Sequence, residues 1–301
     1  MPELPDVQIY LEALDRRILG EALQKVRVVA PSVLRTYDPP LSAVEGRTVE
    51  GLRRIGKRIV WEMGGELFVI IHLMVAGRLA WAAAGAAIPR KVGLAAFDFE
   101  QGSLLLREAA TRKRAGLWLV RGEEALAEHD RGGVEPLEVA LGEFSEALLR
   151  ENRTMKRALT DPRIFSGIGN AYSDEILHRA RLSPVKRTSQ LTEEEIARLY
   201  ESVRISLTEW TDRLRTEVGD GFPKKVTAFR PDMAVHGKYG EPCPVCGSKV
   251  QRIVYVSNET NYCATCQTNG KLLADRSLSR LLKDDWPKTI EDLEEMTGNF
   301  G

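Results

Sequence analysis

The residues with the clearest chemical potential are four cysteines, which all lie between positions 243 and 266. They form two Cys-x-x-Cys pairs, Cys243 with Cys246 and Cys263 with Cys266, and 16 residues separate the pairs. Each pair places two thiolates on one side of a tight turn, and two pairs supply the tetrahedral sulfur set that Zn²⁺ prefers. Because protein sulfurs fill all four coordination positions, the spacing predicts one structural zinc ion and not a catalytic metal.

A redox-active pair is the competing interpretation of these cysteines, but such a pair normally occurs once, near a β-α-β unit. Residues 249–262, between the two pairs, alternate like a β-hairpin around a polar turn at 257–259. The surrounding region, 235–270, has no core of its own, and so small a segment usually needs a metal to fold. We therefore predict a zinc-ribbon hairpin here, a module that by itself defines no function.

The first three residues, Met-Pro-Glu, are a second candidate for chemistry. Methionine ahead of proline is usually removed, which would make Pro2 the N-terminus. The pKa of a terminal amine is about 8, so a neutral fraction exists near pH 7. Such an amine can attack a sugar C1′ and form an iminium, and Glu3 could donate and accept protons beside it. Many proteins begin with these residues, so the three alone do not establish catalysis.

The elements that must position these groups change character along the chain. Residues 3–19 have helical periodicity, with Val7, Tyr10, Leu11, Leu14 and Ile18 on one face. Residues 23–121 form short β-rich runs separated by glycine turns, which predicts antiparallel strands packed as a sandwich or barrel. A polar stretch at 122–134 is a candidate linker. Helical periodicity then continues to about 218, with a capping box at Thr192 and Glu195.

The chain carries 43 basic and 43 acidic residues, a net charge of zero that at first argues against a nucleic-acid partner. The tail 284–301, which includes Asp284 and Asp285, has a net charge of −5, so the first 283 residues carry +5. Phosphate binding depends on a local basic face, so a DNA partner is compatible with this distribution. The basic residues cluster at 53–58, 112–114, 179–187 and 224–225.

Length and composition limit the remaining possibilities. A chain of 301 residues with 43% hydrophobic residues is expected to form two or three folded units. No apolar run approaches the ~20 residues that cross a bilayer, and the start of the chain lacks the features of a secretory signal. We therefore expect a cytoplasmic protein, nucleoid-associated if bacterial, with no membrane partner. A reducing cytoplasm also favours a metal site over disulfides.

Several stretches that occur in order along the chain resemble the formamidopyrimidine-DNA glycosylase / endonuclease VIII (Fpg/Nei) family. The resemblance spans residues 2 to about 283 and is most specific in GIGNAYSDEIL combined with the N-terminal PELP. The stretches are PELPDV at 2–7, RRIGKRIV at 53–60, IHLMVAGRL at 71–79, SGIGNAYSDEIL at 166–177, and the cysteine ribbon ending in Gln267.

The resemblance implies an α+β multidomain fold with DNA bound in the cleft between its domains. It comprises an N-terminal antiparallel β-sandwich with a flanking helix, a helix-two-turn-helix domain and a C-terminal zinc-ribbon hairpin. The expected boundaries are 1–125 for the catalytic sandwich, 130–232 for the DNA-binding helices, 235–270 for the ribbon and 271–301 for a helical, acidic tail. The expected state is a monomer.

The resemblance also implies a bifunctional DNA glycosylase and AP lyase of base excision repair, with no cofactor besides structural zinc. In this interpretation Pro2 attacks C1′ of the damaged nucleotide and Glu3 is the general acid that opens the sugar. Lys57 lies near the reacting sugar and its phosphate, where a cation assists proton transfer and phosphate departure. The iminium then permits elimination of the 3′ phosphate and afterwards of the 5′ phosphate. His72 and Asn170 match phosphate contacts of the family.

Three departures from the family pattern concern the grip on DNA. The ribbon hairpin usually carries an arginine at its tip, where this chain has Asn258, which brings no charge. Val75 and Ala115 occupy the positions of wedge residues that fill the gap left by a flipped base, although Arg114 could still reach the orphaned partner base. The segment 215–234 lacks the glycine-rich loop of the purine-specific branch, which favours oxidised pyrimidines or a broad range.

The predicted partner is therefore damaged DNA, either duplex or single-stranded. The alternative is a catalytically weak lesion-binding or damage-signalling protein, because the missing wedge and hairpin arginine fit that role as well. A generic zinc-ribbon DNA-binding factor explains the cysteines but nothing upstream of residue 240.

Overall fold

The computed structural model describes residues 1–256, 258–273 and 287–298. The chain divides into two compact units. The first unit comprises Met1–Gly132 and Thr208–Ala228, and the second comprises Gly133–Leu207 and the described residues from Phe229 onward. Within the described parts of the chain, no helix is long and apolar enough to cross a membrane.

The first unit consists of helix α1 (Leu4–Ile18), two four-stranded antiparallel sheets and the short helix α2 (Glu123–Ala127). The strand order is β1-β6-β7-β5 in one sheet and β2-β3-β4-β8 in the other. Two 3₁₀ turns lie at Pro31–Val33 and Leu41–Val44. The strands are β1 (Lys25–Val28), β2 (Val49–Ile55), β3 (Arg58–Met63), β4 (Leu67–His72), β5 (Gly77–Ala82), β6 (Gly93–Phe99), β7 (Gly102–Glu108) and β8 (Gly116–Arg121).

One hydrophobic core joins the two sheets, as a sandwich requires. Trp61 of β3 packs edge-on against Phe97 of β6, with ring centroids 4.8 Å apart. The second sheet is buried on its other face as well, where Val60 and Ile70 pack against Leu126 of α2. Burial on both faces accounts for the continuous apolar sequence of β4. The stretch 122–134, predicted to be a linker, contains a helix that covers the sheet, and the boundary between the two units follows this helix at Gly132.

Helix α1 flanks the sandwich with the apolar face that its periodicity predicts. All five predicted positions, from Val7 to Ile18, are buried in the core. Segment 208–228 packs against this helix: Phe222 lies 5.8 Å from Tyr10, measured between ring centroids. Arg215 forms an ion pair with Glu12 at 2.7 Å. The half-buried ring of Phe222 thus packs against the core.

The second unit contains helices followed by the cysteine hairpin. The predicted capping box is confirmed, because the N–H of Glu195 donates to Thr192 Oγ1 at 3.2 Å and the N–H of Thr192 donates to Glu195 Oε2 at 3.0 Å. A 3₁₀ turn precedes it at Thr188–Gln190. The helices are α3 (Leu141–Leu149), α4 (Met155–Thr160), α5 (Asn170–Arg179) and α6 (Glu193–Val218), and the last of these continues into the first unit.

The predicted hairpin is formed by β9 (Gln251–Val254) and β10 (Glu259–Tyr262), followed by α7 (Ala264–Thr268). Ile253 and Tyr262 are buried, whereas Val254 and Val256 are exposed. The tail contains α8 (Ile290–Gly298), whose Ile290 packs against this hairpin cluster. Three predicted features lie outside the described residues: Ser257 of the turn, and Asp284 and Asp285 of the acidic tail.

Candidate functional site

The first residues of the chain are held by the start of α1. Glu3 is the N-cap residue of this helix, and its backbone N–H donates to Asp6 Oδ2 at 3.0 Å. A carboxylate in the first helical turn is favourable because it faces the positive end of the helix dipole. Pro2 is buried, and only 2% of Glu3 is exposed. The two residues predicted to react are therefore fixed in position by a regular element.

The amino group at the start of the chain, which belongs to Met1, has a lowered pKa. Burial is the largest cause, because it disfavours the charged form. The carboxylates of Glu3 and Asp6 oppose this shift, whereas the cations of Arg78 and Lys57 add to it. The amine and the side chains of Glu3 and Lys57 thus lie close enough to influence one another electrostatically.

Lys57 lies in the two-residue turn between β2 and β3. Ile55 pairs with Arg58, so Gly56 and Lys57 form the whole loop. Gly56 has a φ of +59°, which fits the first central position of a type II′ turn and favours glycine. This explains why a glycine directly precedes Lys57 in the sequence.

His72 ends β4, where it lies opposite Arg58 on β3 and Gly116 on β8. Its pKa is lowered to about 4, first by burial and then by the positive charges of Arg58 and Lys57. The ring is therefore neutral near pH 7. A neutral imidazole can donate one N–H to a phosphate but adds no positive charge. The positive charge of Lys57 therefore acts on the ring of His72.

The predicted wedge positions differ in exposure. Val75 is 52% exposed, but Ala115 is only 1% exposed and lies in the sandwich core. Arg114, directly before Ala115, is exposed. The side chain at position 115 therefore lies inside the protein, and the surface of this loop presents Arg114.

Asn170 is the first residue of α5, and its amide links this helix to the hairpin. Its Nδ2 donates to the carbonyl of Glu259 at 2.9 Å, and its carbonyl oxygen accepts from Lys156 Nζ at 2.7 Å. The buried Oδ1 has no hydrogen-bond partner within the described part of the chain. Asn258 is exposed in the hairpin turn, where its carbonyl accepts the N–H of Tyr255 at 2.8 Å. Asn170 therefore contacts the residue next to Asn258, and both asparagines belong to the second unit.

The four cysteine sulfurs converge, all lying within 4.8 Å of one another. Cys246 Sγ is 3.4 Å from Cys263 Sγ, and Cys243 Sγ is 3.9 Å from Cys266 Sγ. Around a tetrahedral zinc ion with Zn–S bonds of about 2.3 Å, neighbouring sulfurs lie about 3.8 Å apart. The donor set and its spacing therefore fit one structural zinc ion.

Two side chains next to the sulfurs connect the ribbon to the helices of its own unit. Gln267 accepts the N–H of Cys263 at 2.9 Å and donates to the carbonyl of Leu182 at 2.9 Å. His178 Nε2 lies 3.2 Å from Cys243 Sγ, where it can donate to a thiolate. Outer-sphere partners of this kind orient metal ligands.

A buried charged network on α5 was not predicted from the sequence. Asp174 accepts from Lys156 Nζ at 2.5 Å and contacts His236 Nδ1 at 2.8 Å. The neighbouring carboxylate of Glu175 accepts the backbone N–H groups of residues 234, 235 and 236. The only local signal is the Ser-Asp-Glu sequence inside GIGNAYSDEIL, since two acids in a helix seldom stay buried without partners. The network attaches the segment before the ribbon to α5.

Comparison with known proteins identifies the family. Residues 1–117 match the formamidopyrimidine-DNA glycosylase N-terminal domain, residues 133–213 match its H2TH domain, and residues 240–269 match a zinc finger found in FPG and IleRS. A formamidopyrimidine-DNA glycosylase of Heliobacterium modesticaldum is 33% identical over 278 residues, covering 89% of this chain and 100% of that protein. The chain belongs to the formamidopyrimidine-DNA glycosylase family. A relative from Geobacillus kaustophilus is 34% identical over 284 residues, with the same coverage.

Solved structures of the same family agree with this fold. Lactococcus lactis Fpg in complex with DNA containing FAPY-dG has a TM-score of 0.78 at 27% identity, covering 88% of this chain and 100% of that chain. The same Fpg with DNA containing an oxidised pyrimidine has a TM-score of 0.77 at 28% identity, covering 89% and 100%. The family resemblance, the α+β fold and the single structural zinc site predicted from the sequence are confirmed.

Proposed function

We propose that this chain is a bifunctional DNA glycosylase and AP lyase that removes damaged bases from DNA in base excision repair. The observation that carries the proposal is the arrangement at the start of α1. Met1 is followed by a buried proline and a buried glutamate, and the charge of Lys57 acts on the amine of Met1. A protein that only binds DNA has no need for this combination. Membership of the Fpg family supports the same conclusion.

The proposed reaction begins after Met1 has been removed. The burial and the neighbouring cations that lower the pKa of the Met1 amine would likewise favour a neutral, nucleophilic amine on Pro2. Pro2 nitrogen forms a bond to C1′, and the bond from C1′ to the base breaks. The base leaves with its bonding electrons and takes up the proton that the alkylated nitrogen loses. Glu3 protonates the ring oxygen O4′, so the sugar opens and the nitrogen lone pair completes an iminium.

The iminium then makes elimination possible. It acidifies the C2′ proton, and removal of this proton expels the 3′ phosphate. Loss of the C4′ proton expels the 5′ phosphate next, and water releases the sugar fragment from Pro2. Lys57 stabilises the negative charge that accumulates on the departing phosphates, which is electrostatic assistance in a partly desolvated site. The products are a one-nucleotide gap and a regenerated amine.

The DNA grip is assigned to side chains on both units. His72 would donate one N–H to a phosphate as a neutral ring, because its pKa is about 4. Asn170 would contact a phosphate from the N-terminus of α5, Asn258 would do so from the hairpin turn without charge, and Arg114 would approach the base opposite the lesion. We expect the protein to act as a monomer on duplex or single-stranded DNA.

The proposed substrates are oxidised bases of more than one kind. The related Lactococcus lactis Fpg has been crystallised with DNA containing FAPY-dG and with DNA containing an oxidised pyrimidine. In this chain the segment 215–234 packs Phe222 against the core and leaves Phe229 68% exposed, with its ring stacked on His236 at 5.4 Å. An exposed aromatic ring tolerates any base with a π-face, which favours a broad range that includes oxidised pyrimidines.

Borohydride trapping tests the proposal directly. The protein, with its mature N-terminus verified by mass spectrometry, is incubated with end-labelled abasic DNA and borohydride, and the cross-linked peptide is mapped. We expect the adduct on Pro2. The variant Pro2→Leu, whose bulky second residue keeps Met1 in place, should form no adduct at that position. An adduct mapped to Lys57 or to another lysine would contradict the proline mechanism.

A lesion-binding protein without efficient chemistry is the second candidate, favoured by the buried Ala115 and the uncharged Asn258. The two candidates differ in the same experiment. Tight binding to DNA that contains a tetrahydrofuran abasic analogue, together with no borohydride adduct on any substrate, would favour the lesion-binding function.

A further inference from the structure

The loop at 109–115, between β7 and β8, has its backbone held by a buried carboxylate. Glu108, the last residue of β7, is 1% exposed. Its Oε2 accepts the backbone N–H of Arg114 at 2.7 Å and that of Ala115 at 3.0 Å. Hydrogen bonds to an ionised acceptor are stronger than neutral ones, and a buried carboxylate needs such partners. Lys113 closes the loop further, because its Nζ donates to the carbonyl of Glu108.

Arg35 holds the same two residues from the other side of the peptide units. Its Nη2 lies 3.3 Å from the carbonyl oxygens of both Arg114 and Ala115. The segment that carries Arg35 is itself attached to β8. The N–H of Arg35 donates to the carbonyl of Leu117 at 2.9 Å, and Thr36 Oγ1 bonds to both backbone groups of Leu119, at 2.8 and 3.0 Å.

The backbone of residues 114 and 115 is therefore fixed through its N–H groups and through its carbonyl groups. The side chain of Ala115 is fixed as well, since it lies in the core. The side chain of Arg114 is exposed. A loop with this many constraints points the Cα–Cβ bond of Arg114 in one direction. This is the preorganisation that recognition sites need.

We propose that Glu108 and Arg35 are positioning residues that orient Arg114 toward the base left unpaired opposite the lesion. This inference rests on the proposed function. It assigns specificity for the partner base to Glu108 and Arg35, which together clamp the backbone of the loop. A guanidinium only donates hydrogen bonds. A correctly held Arg114 therefore favours a partner base whose Watson–Crick edge has two adjacent acceptors, such as cytosine, over adenine, whose Watson–Crick edge has one acceptor beside a donor.

The test compares binding to three DNA molecules that contain a tetrahydrofuran abasic analogue: opposite cytosine, opposite adenine, and in a single strand. One well-placed arginine–base contact is worth ~1–3 kcal/mol, so Arg114→Ala should reduce the cytosine-over-adenine preference about tenfold. We expect Glu108→Ala to reduce the preference equally and the double variant to show no further loss. Glu108→Gln should be intermediate, because its Oε1 can still accept, and Arg35→Ala should also lower the preference. Single-strand affinity should stay unchanged in all variants.

The matched control is Glu100→Ala, an exposed glutamate in the turn between β6 and β7. Additive losses in the double variant, or an equal loss on single-stranded DNA, would show a merely structural role and overturn the proposal. So would a wild-type protein with no partner-base preference. Borohydride trapping on single-stranded abasic DNA is measured in parallel. Absence of an adduct there would reject the proline chemistry while the binding preference still tests the clamp. If Glu108→Ala lowers the melting temperature, Glu108→Gln and Arg35→Ala decide the matter.

Discussion

The start of α1 and the loops assigned to the DNA grip differ in how the protein supports them. Pro2 and Glu3 are buried at the start of a long helix. Val75 and Asn258, in contrast, are exposed in turns and carry no charge. The residues of the proposed chemistry thus lie at the start of a helix and are buried, whereas these two turn residues are exposed and uncharged. We expect the proposed chemistry and the DNA contacts to respond separately to substitution.

Removal of zinc should abolish duplex binding, which is the largest of the expected effects. We expect Cys246→Ser, or a chelator, to unfold the ribbon, because structural zinc supplies about 10 kcal/mol or more of binding free energy. Duplex binding should be lost with it. Zinc content, measured by atomic absorption, and duplex affinity check this. The control is Thr265→Ala, a residue between two of the cysteines whose hydroxyl is 2.8 Å from that of Ser248. Full duplex affinity without zinc would contradict the prediction.

Glu3→Gln should remove the proposed chemistry and leave DNA binding in place. The amide keeps the size of the buried side chain but cannot transfer the proton, and general acid catalysis contributes about 10²–10⁴-fold. We expect base excision from a lesion-containing duplex to fall by that factor. Affinity for the tetrahydrofuran duplex should stay within about twofold. Glu100→Gln serves as the control, and a matching loss of affinity would mean that Glu3 acts mainly on structure.

The pH dependence of the free energy of unfolding should reveal the contribution of His72. Its pKa is about 4 in the folded protein and about 6.5 when unfolded. Between these values the unfolded chain binds more protons, so stability falls as the pH is lowered through this window. The expected contribution of His72 between pH 7 and pH 5 is about 2 kcal/mol. Urea unfolding at both pH values should therefore show a smaller change for His72→Gln. An identical change in the two proteins would mean that the ring is protonated when folded.

Local patterns were enough to predict part of this architecture. The periodicity of residues 7–18 predicted the buried face of α1, the Thr192–Glu195 spacing predicted a cap, and the cysteine spacing predicted the zinc site. Each of these depends on residues that are close in the chain or on a spacing that one ion imposes.

Long-range contacts were not predictable in the same way. Ala115 lies inside the protein because β8 packs its inner face against the other sheet, and the clamp needs Arg35, 79 residues away from Arg114. The amide of Asn170 is directed at Glu259, 89 residues further along the chain. Such partners are chosen by tertiary packing, which no local pattern in a single sequence encodes.

Asn258→Arg adds a positive charge to the hairpin turn. Its effect on duplex binding should be the smallest of those predicted here. The turn is exposed, and the backbone carbonyl of Asn258 makes its bond to Tyr255 whatever the side chain is. An added phosphate contact increases the salt slope of DNA binding by about one, and we expect duplex affinity to rise several-fold at low salt. Asn258→Gln is the uncharged control. Affinity measured by fluorescence anisotropy at several salt concentrations checks both quantities. An unchanged slope would mean that position 258 does not approach the DNA.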